Sequence, residues 1–124
     1  MFDFKTSVFA VAVLLFCASL SSVTATQQVK ARVRQLTSMA CNIGEHDING
    51  ASWDFDPKNG HSKLIFMGDY RLGNYRYNIN TRTGGYTLQI YGVLPTDEGT
   101  FTCQYEHEGT LKEAASYDLT VETS

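Results

Sequence analysis

Asp97-Glu98-Gly99-Thr100-Phe101-Thr102-Cys103 is the stretch whose reading decides the fold of this chain. It runs Asp-x-Gly-x-aromatic-x-Cys. After the acid and the glycine comes an alternating run. In an extended strand Phe101 and Cys103 share one side, while Thr102 and Gln104 take the other. Working outward, Cys41 stands 62 residues upstream of Cys103, and Trp53 follows Cys41 by twelve positions.

The chain has 124 residues, room for one domain. Its first 25 residues read as a targeting segment. Met1 to Lys5 form a short n-region carrying Lys5, Ser7 to Leu20 carry no charge, and Val23-Thr24-Ala25 fits the small-x-small rule of signal peptidase. The apolar run is shorter than the roughly 20 residues that span a bilayer. Cleavage after Ala25 is therefore expected, leaving residues 26–124 as one secreted, extracellular domain without membrane insertion. Asp3 and Lys5 leave together, so the formal charge stays at −3. That mild acidity argues against nucleic acid, which selects clustered Lys and Arg. Cys17 leaves as well, and the three cysteines become two. In an oxidising compartment Cys41 and Cys103 are expected to pair. A loop of this length contributes about 4 kcal/mol on the chain-entropy account.

Short alternating runs separated by Gly, Asn and Asp indicate an all-β domain of eight or nine strands. Val29 to Val33 alternates as an edge strand does. Thr37, Met39, Cys41 and Ile43 share a face. Trp53 and Phe55 oppose Ser52, Asp54 and Asp56. Lys63 to Met67 is compact and apolar, and Tyr75, Tyr77 and Ile79 fall on one side. Gly84-Gly85 suits a hairpin turn, and Glu106 to Lys112 suits a second hairpin tip. Tyr117, Leu119 and Val121 close the domain. Periodicity alone leaves barrel and sandwich open.

From Thr37 to Val121 the residues resemble an immunoglobulin V-set domain of the non-rearranging kind. Cys41, Trp53 and Cys103 match the family's disulfide cysteines and the tryptophan packed on them. Arg76-Tyr77-Asn78-Ile79-Asn80 resembles the D-strand motif, Leu88-Gln89-Ile90 the E-strand motif, and Asp97 the acid before the second cysteine. The resemblance implies a two-sheet, Greek-key V-type β-sandwich, with a structural core that includes Trp53, Phe101 and an Arg76–Asp97 ion pair. Two departures stand out. Phe101 replaces the family's corner tyrosine and lacks its hydroxyl. The Phe/Trp-Gly-x-Gly bulge that antigen-receptor chains carry before their final strand is expected to be missing, because that strand reads Ala114-Ala115-Ser116-Tyr117-Asp118-Leu119-Thr120-Val121.

V-set domains bind through the face made by the C, C′, F and G strands. Alternation puts Asp54, Asp56, Thr102, Gln104 and Glu106 there, a polar set that suits a basic or polar protein partner. Tyr70, Arg71 and Leu72 are candidate edge contacts. The short F–G tip carries no Trp or Arg anchor. His46, His61 and His107 sit in different loops with no metal-ligand spacing. No catalytic motif, cofactor or metal site is indicated. The expected function is non-covalent protein recognition in adhesion or immunity, as a soluble ligand, decoy or modulator. A lectin reading, an extracellular subunit of a receptor complex and a weak homodimer stay open.

Overall fold

The computed structural model describes residues 25–82 and 85–123. The expected leader up to residue 24, and Gly84 of the expected glycine turn, lie outside the described residues. Nine strands form among those described: β1 Thr26–Arg32, β2 Thr37–Met39, β3 Ala51–Pro57, β4 Lys63–Met67, β5 Tyr70–Arg71, β6 Tyr77–Asn80, β7 Thr87–Ile90, β8 Gly99–His107 and β9 Thr110–Glu122. They build a six-stranded sheet, β1-β9-β8-β3-β4-β5, facing a three-stranded sheet, β2-β7-β6. The β1–β9 pair is parallel and the other ladders are antiparallel.

Period-two alternation dictates the core. Met39, Cys41 and Ile43 are buried opposite Trp53, Phe55, Phe101 and Cys103, with Leu88, Ile90, Tyr117 and Leu119 around them. Cys41 and Cys103 are disulfide-bonded across the two sheets, with Cα atoms 6.4 Å apart. A buried indole N–H needs an acceptor, and Trp53 Nε1 donates to the Tyr86 carbonyl at 2.9 Å. Tyr86 is itself fully buried and donates its hydroxyl to the Gly68 carbonyl at 2.6 Å.

Asp97 sits in the turn that leads into β8 and is 1% exposed. A buried carboxylate persists only when its lone pairs are filled. Here Arg76 Nη1 and Nη2 donate to Oδ2 and Oδ1 at 2.8 and 3.1 Å, and the Leu94 amide donates to Oδ2 at 2.8 Å. The fourth donor is the Tyr77 hydroxyl, at 2.6 Å from Oδ1. Burial pushes the Asp97 carboxyl up, but the bonds from Arg76, Tyr77 and Leu94 outweigh it and hold the group below its ordinary range. Tyr77 of the opposite sheet thus brings a hydroxyl to the corner where Phe101 has none, bonding the Asp97 carboxylate rather than the backbone. Phe101 stacks on Phe55 at 4.3 Å and meets the Tyr77 ring edge-on at 6.2 Å.

Gly99 explains the glycine of the opening stretch. Its φ is +151°, and a Cβ there would lie 2.3 Å from the Asp56 carbonyl oxygen and 2.7 Å from Pro57 Cα. Only glycine lets β8 start this close to the end of β3.

Three expectations are corrected. Tyr75 does not share the inward side of Tyr77; it lies in the turn before β6 and is 83% exposed. The hairpin tip is shorter than Glu106 to Lys112. The strands run to His107 and from Thr110, with Glu108 and Gly109 both at positive φ as a two-residue hairpin turn demands. Finally, the bulge expected to be missing from the last strand is present. Cys103 pairs with Ala115 and Gln104 with Glu113, which leaves Ala114 as the extra residue. A bulge of this kind needs one extra residue, not a glycine, so the absent Gly-x-Gly letters do not abolish it.

Candidate binding face

Alternation and register together assign the outer face of the six-stranded sheet. Paired residues on neighbouring strands share a face. One row runs Tyr70, Met67, Ser52, Gln104, Glu113 across β5, β4, β3, β8 and β9. The next runs Leu64, Asp54, Thr102, Ser116, and Glu106 pairs with Leu111 nearer the tip.

The Ala114 bulge decides what β9 contributes. Ala115, Tyr117 and Leu119 are buried. Uninterrupted alternation would carry Glu113 and Leu111 to that same inner side. One extra residue reverses the phase. Glu113 and Leu111 therefore stand outside, and Leu111 is 64% exposed. Met67 and Tyr70, at 52% and 68%, add apolar surface at the other margin. The face is more apolar than the carboxylates alone suggested.

Between these margins lies an open groove of about 430 Å³, lined by Ser52, Asp54, Leu64, Met67, Gln104, Glu106 and Leu111 among others. Asp54 is partly buried on its floor, and burial pushes its carboxyl above the ordinary range. None of the described residues gives the Asp54 carboxylate a hydrogen bond or an ion pair, in contrast to the fully satisfied carboxylate of Asp97. Thr102 pairs with Asp54 on the adjacent strand. Asp56 is not part of the groove. It sits opposite Thr100 in a separate depression with Lys58, Glu98 and Asp118.

The edge residues divide. Arg71 Nε donates to the Tyr77 carbonyl at 3.0 Å, and its guanidinium lies 5.8 Å from the Phe66 ring centroid. It straps β5 to β6 and so holds the two sheets together. Tyr70 and Leu72 stay exposed.

The loop from Gly44 to Gly50 comes close to the hairpin at the end of β8. His46 packs on the Tyr105 ring at 4.4 Å and meets the His107 ring edge-on at 5.0 Å. The loop before β3 and the end of β8 thus share an aromatic cluster. Among the described residues no three His, Cys, Asp or Glu side chains gather as metal ligands would. No helix among them is long and apolar enough to cross a membrane.

Two solved structures share this arrangement. The extracellular fragment of Novel Immune-Type Receptor 11 from Ictalurus punctatus superposes with a TM-score of 0.68 at 13% identity, covering 79% of this chain and 99% of that one. The same receptor fragment including its stalk region gives 0.69 at 13% identity, over 82% and 89%. This is an immunoglobulin V-type fold. In V-type terms β8, β9, β3, β4 and β5 are the F, G, C, C′ and C″ strands, and β2, β7 and β6 are B, E and D. No protein-family model and no curated protein matches the sequence.

Proposed function

We propose that this chain is an extracellular V-type recognition domain that acts without catalysis, binding a protein partner through the outer face of its six-stranded sheet. The observation that carries the reading is the pairing, on one face, of an unpartnered carboxylate with half-exposed Leu111, Met67 and Tyr70. Protein interfaces combine apolar contact with a few placed polar groups in this way. The receptor fragments that share the fold support an immune-recognition role. Secretion after cleavage at Ala25 is part of the proposal, supported by the uncharged run from Ser7 to Leu20 and the small residues Val23-Thr24-Ala25. Charge reversal of Asp54 and Glu106 tests the reading. Partner binding should fall at least tenfold with thermal stability retained; unchanged affinity would retire this face.

One observation favours a second reading, a glycan-binding domain. The outer side of the three-stranded sheet carries Tyr91, 50% exposed, next to amides. Asn78 Nδ2 donates to Gln89 Oε1 at 3.3 Å, and the Tyr91 hydroxyl donates to the same oxygen at 3.4 Å. A glycan array separates the two readings.

A further inference from the structure

We infer that the groove over Asp54 takes the cationic side chain of an arginine or lysine, presented by an extended segment of the protein partner. The inference rests on the proposed role of this face in recognition and names the chemistry of what it recognises.

Asp54 is the odd carboxylate of the molecule. It is partly buried, flanked by Leu64, and has no donor among the described residues. Removing a charge from water without a partner costs free energy, and an incoming cation with hydrogen-bonding N–H groups recovers that cost. The walls fit the rest of such a side chain. Leu64, Met67 and Leu111 offer apolar surface for the methylene stem, and the Gln104 amide oxygen offers a further acceptor for the head. Arginine suits the site better than lysine, because its planar fork reaches a carboxylate through two N–H groups.

Charge also argues against a second copy of the chain. A two-fold contact centred on this groove would set the Asp54 and Glu106 carboxylates of one copy against the same pair in the other, and juxtaposed like charges disfavour a partner. A basic segment has the complementary sign. Its spacing follows from the ladder. Asp54 pairs with Thr102, and Glu106 lies four residues further along β8, about 13 Å at the rise of a strand. An extended segment running along β8 presents residues i and i+4 at that same separation. One basic side chain then reaches Asp54 and the other Glu106, with the side chain at i+2 over Gln104.

The test uses the full chain expressed through a secretory host, labelled with nitrogen-15 and titrated with the peptide acetyl-Arg-Ser-Leu-Ser-Arg-amide. A twin peptide carries citrulline, the neutral isostere, in place of both arginines. The expected result is shifted amide signals at Ser52, Asp54 and Gln104, affinity at least tenfold weaker for the citrulline twin, and loss of that preference in Asp54→Asn. Equal affinity for both peptides, with shifts on this face, would overturn the cation site and leave the face standing. Shifts confined to other surfaces, or none with either peptide, would overturn both. The citrulline comparison is made on the unmodified protein and does not depend on any variant folding.

Discussion

Tyr77→Phe removes one oxygen atom and tests how the corner of this domain is held. The Tyr77 hydroxyl donates to Asp97 Oδ1 at 2.6 Å in a buried setting. The ring contacts with Phe55 and Phe101, at 6.4 and 6.2 Å, survive the substitution. No cavity larger than the lost oxygen is left behind. The cost is therefore that of a hydrogen bond to a charged group, about 1.5–3 kcal/mol. Arg76 and the Leu94 amide still hold Asp97, which keeps the loss at that level. A domain of this size loses roughly 4–8 °C of melting temperature per kcal/mol, so a fall of about 10 °C is expected. Trp53 is the single tryptophan and fully buried, so its fluorescence reports unfolding in heat or urea. A double-mutant cycle with Asp97→Asn should give a coupling above about 1 kcal/mol. A loss under about 0.5 kcal/mol, or strict additivity in the cycle, would refute the claim that the Tyr77 hydroxyl holds this corner through Asp97.

Gly99→Ala should destabilise by about 3 kcal/mol or more and reduce the yield of folded protein, since backbone lies where the Cβ must go; a melting temperature within a few degrees of the parent would contradict the close approach of β8 to β3. Asp97 is held below its ordinary range in the folded state, so its contribution is complete above about pH 5 and is lost as pH falls below the unfolded value near 4 towards the folded one. Urea titrations from pH 6 to pH 2 should show this loss, and Asp97→Asn should flatten it. Asp54 has the opposite sign: burial favours its protonated form in the folded state. Asp54→Asn should therefore leave stability at pH 7 unchanged or slightly raised, within about 0.5 kcal/mol, and a loss above about 1 kcal/mol would make Asp54 part of the scaffold rather than of a binding site.

How much of this was legible beforehand differs residue by residue. Cys41, Trp53 and Cys103 were legible through their resemblance to the Cys…Trp…Cys order of immunoglobulin domains, where alternation alone leaves barrel and sandwich open. Period-two alternation placed Ser52, Asp54, Thr102 and Gln104 outside, since side chains of one strand must alternate. Tyr86 went unread, although the alternation of Leu88 and Ile90 extends back to it. The Tyr77–Asp97 bond was not legible, although the resemblance implied the neighbouring Arg76–Asp97 pair, because alternation marks Tyr77 only as an inward ring and says nothing of what its hydroxyl meets. The bulge at Ala114 was hidden for another reason. The reading sought glycines, whereas the geometry asks only for one extra residue. That single residue turns Leu111 outward and changes a polar face into a groove with apolar margins. In the His46, Tyr105 and His107 cluster alternation accounts for Tyr105 and His107, two apart on β8, but His46 lies in a loop, where no periodicity reveals a neighbour.

Site-specific photo-cross-linking on living cells of the source organism tests the central claim most directly. A benzophenone amino acid replaces Gln104 on the outer face of the six-stranded sheet in one protein and Asn78 on the opposite sheet in another. The account predicts that the Gln104 probe cross-links a surface protein, that Asp54→Lys abolishes the cross-link, and that the Asn78 probe captures nothing. Cross-linking from Asn78 alone would place recognition on the three-stranded sheet and contradict the account.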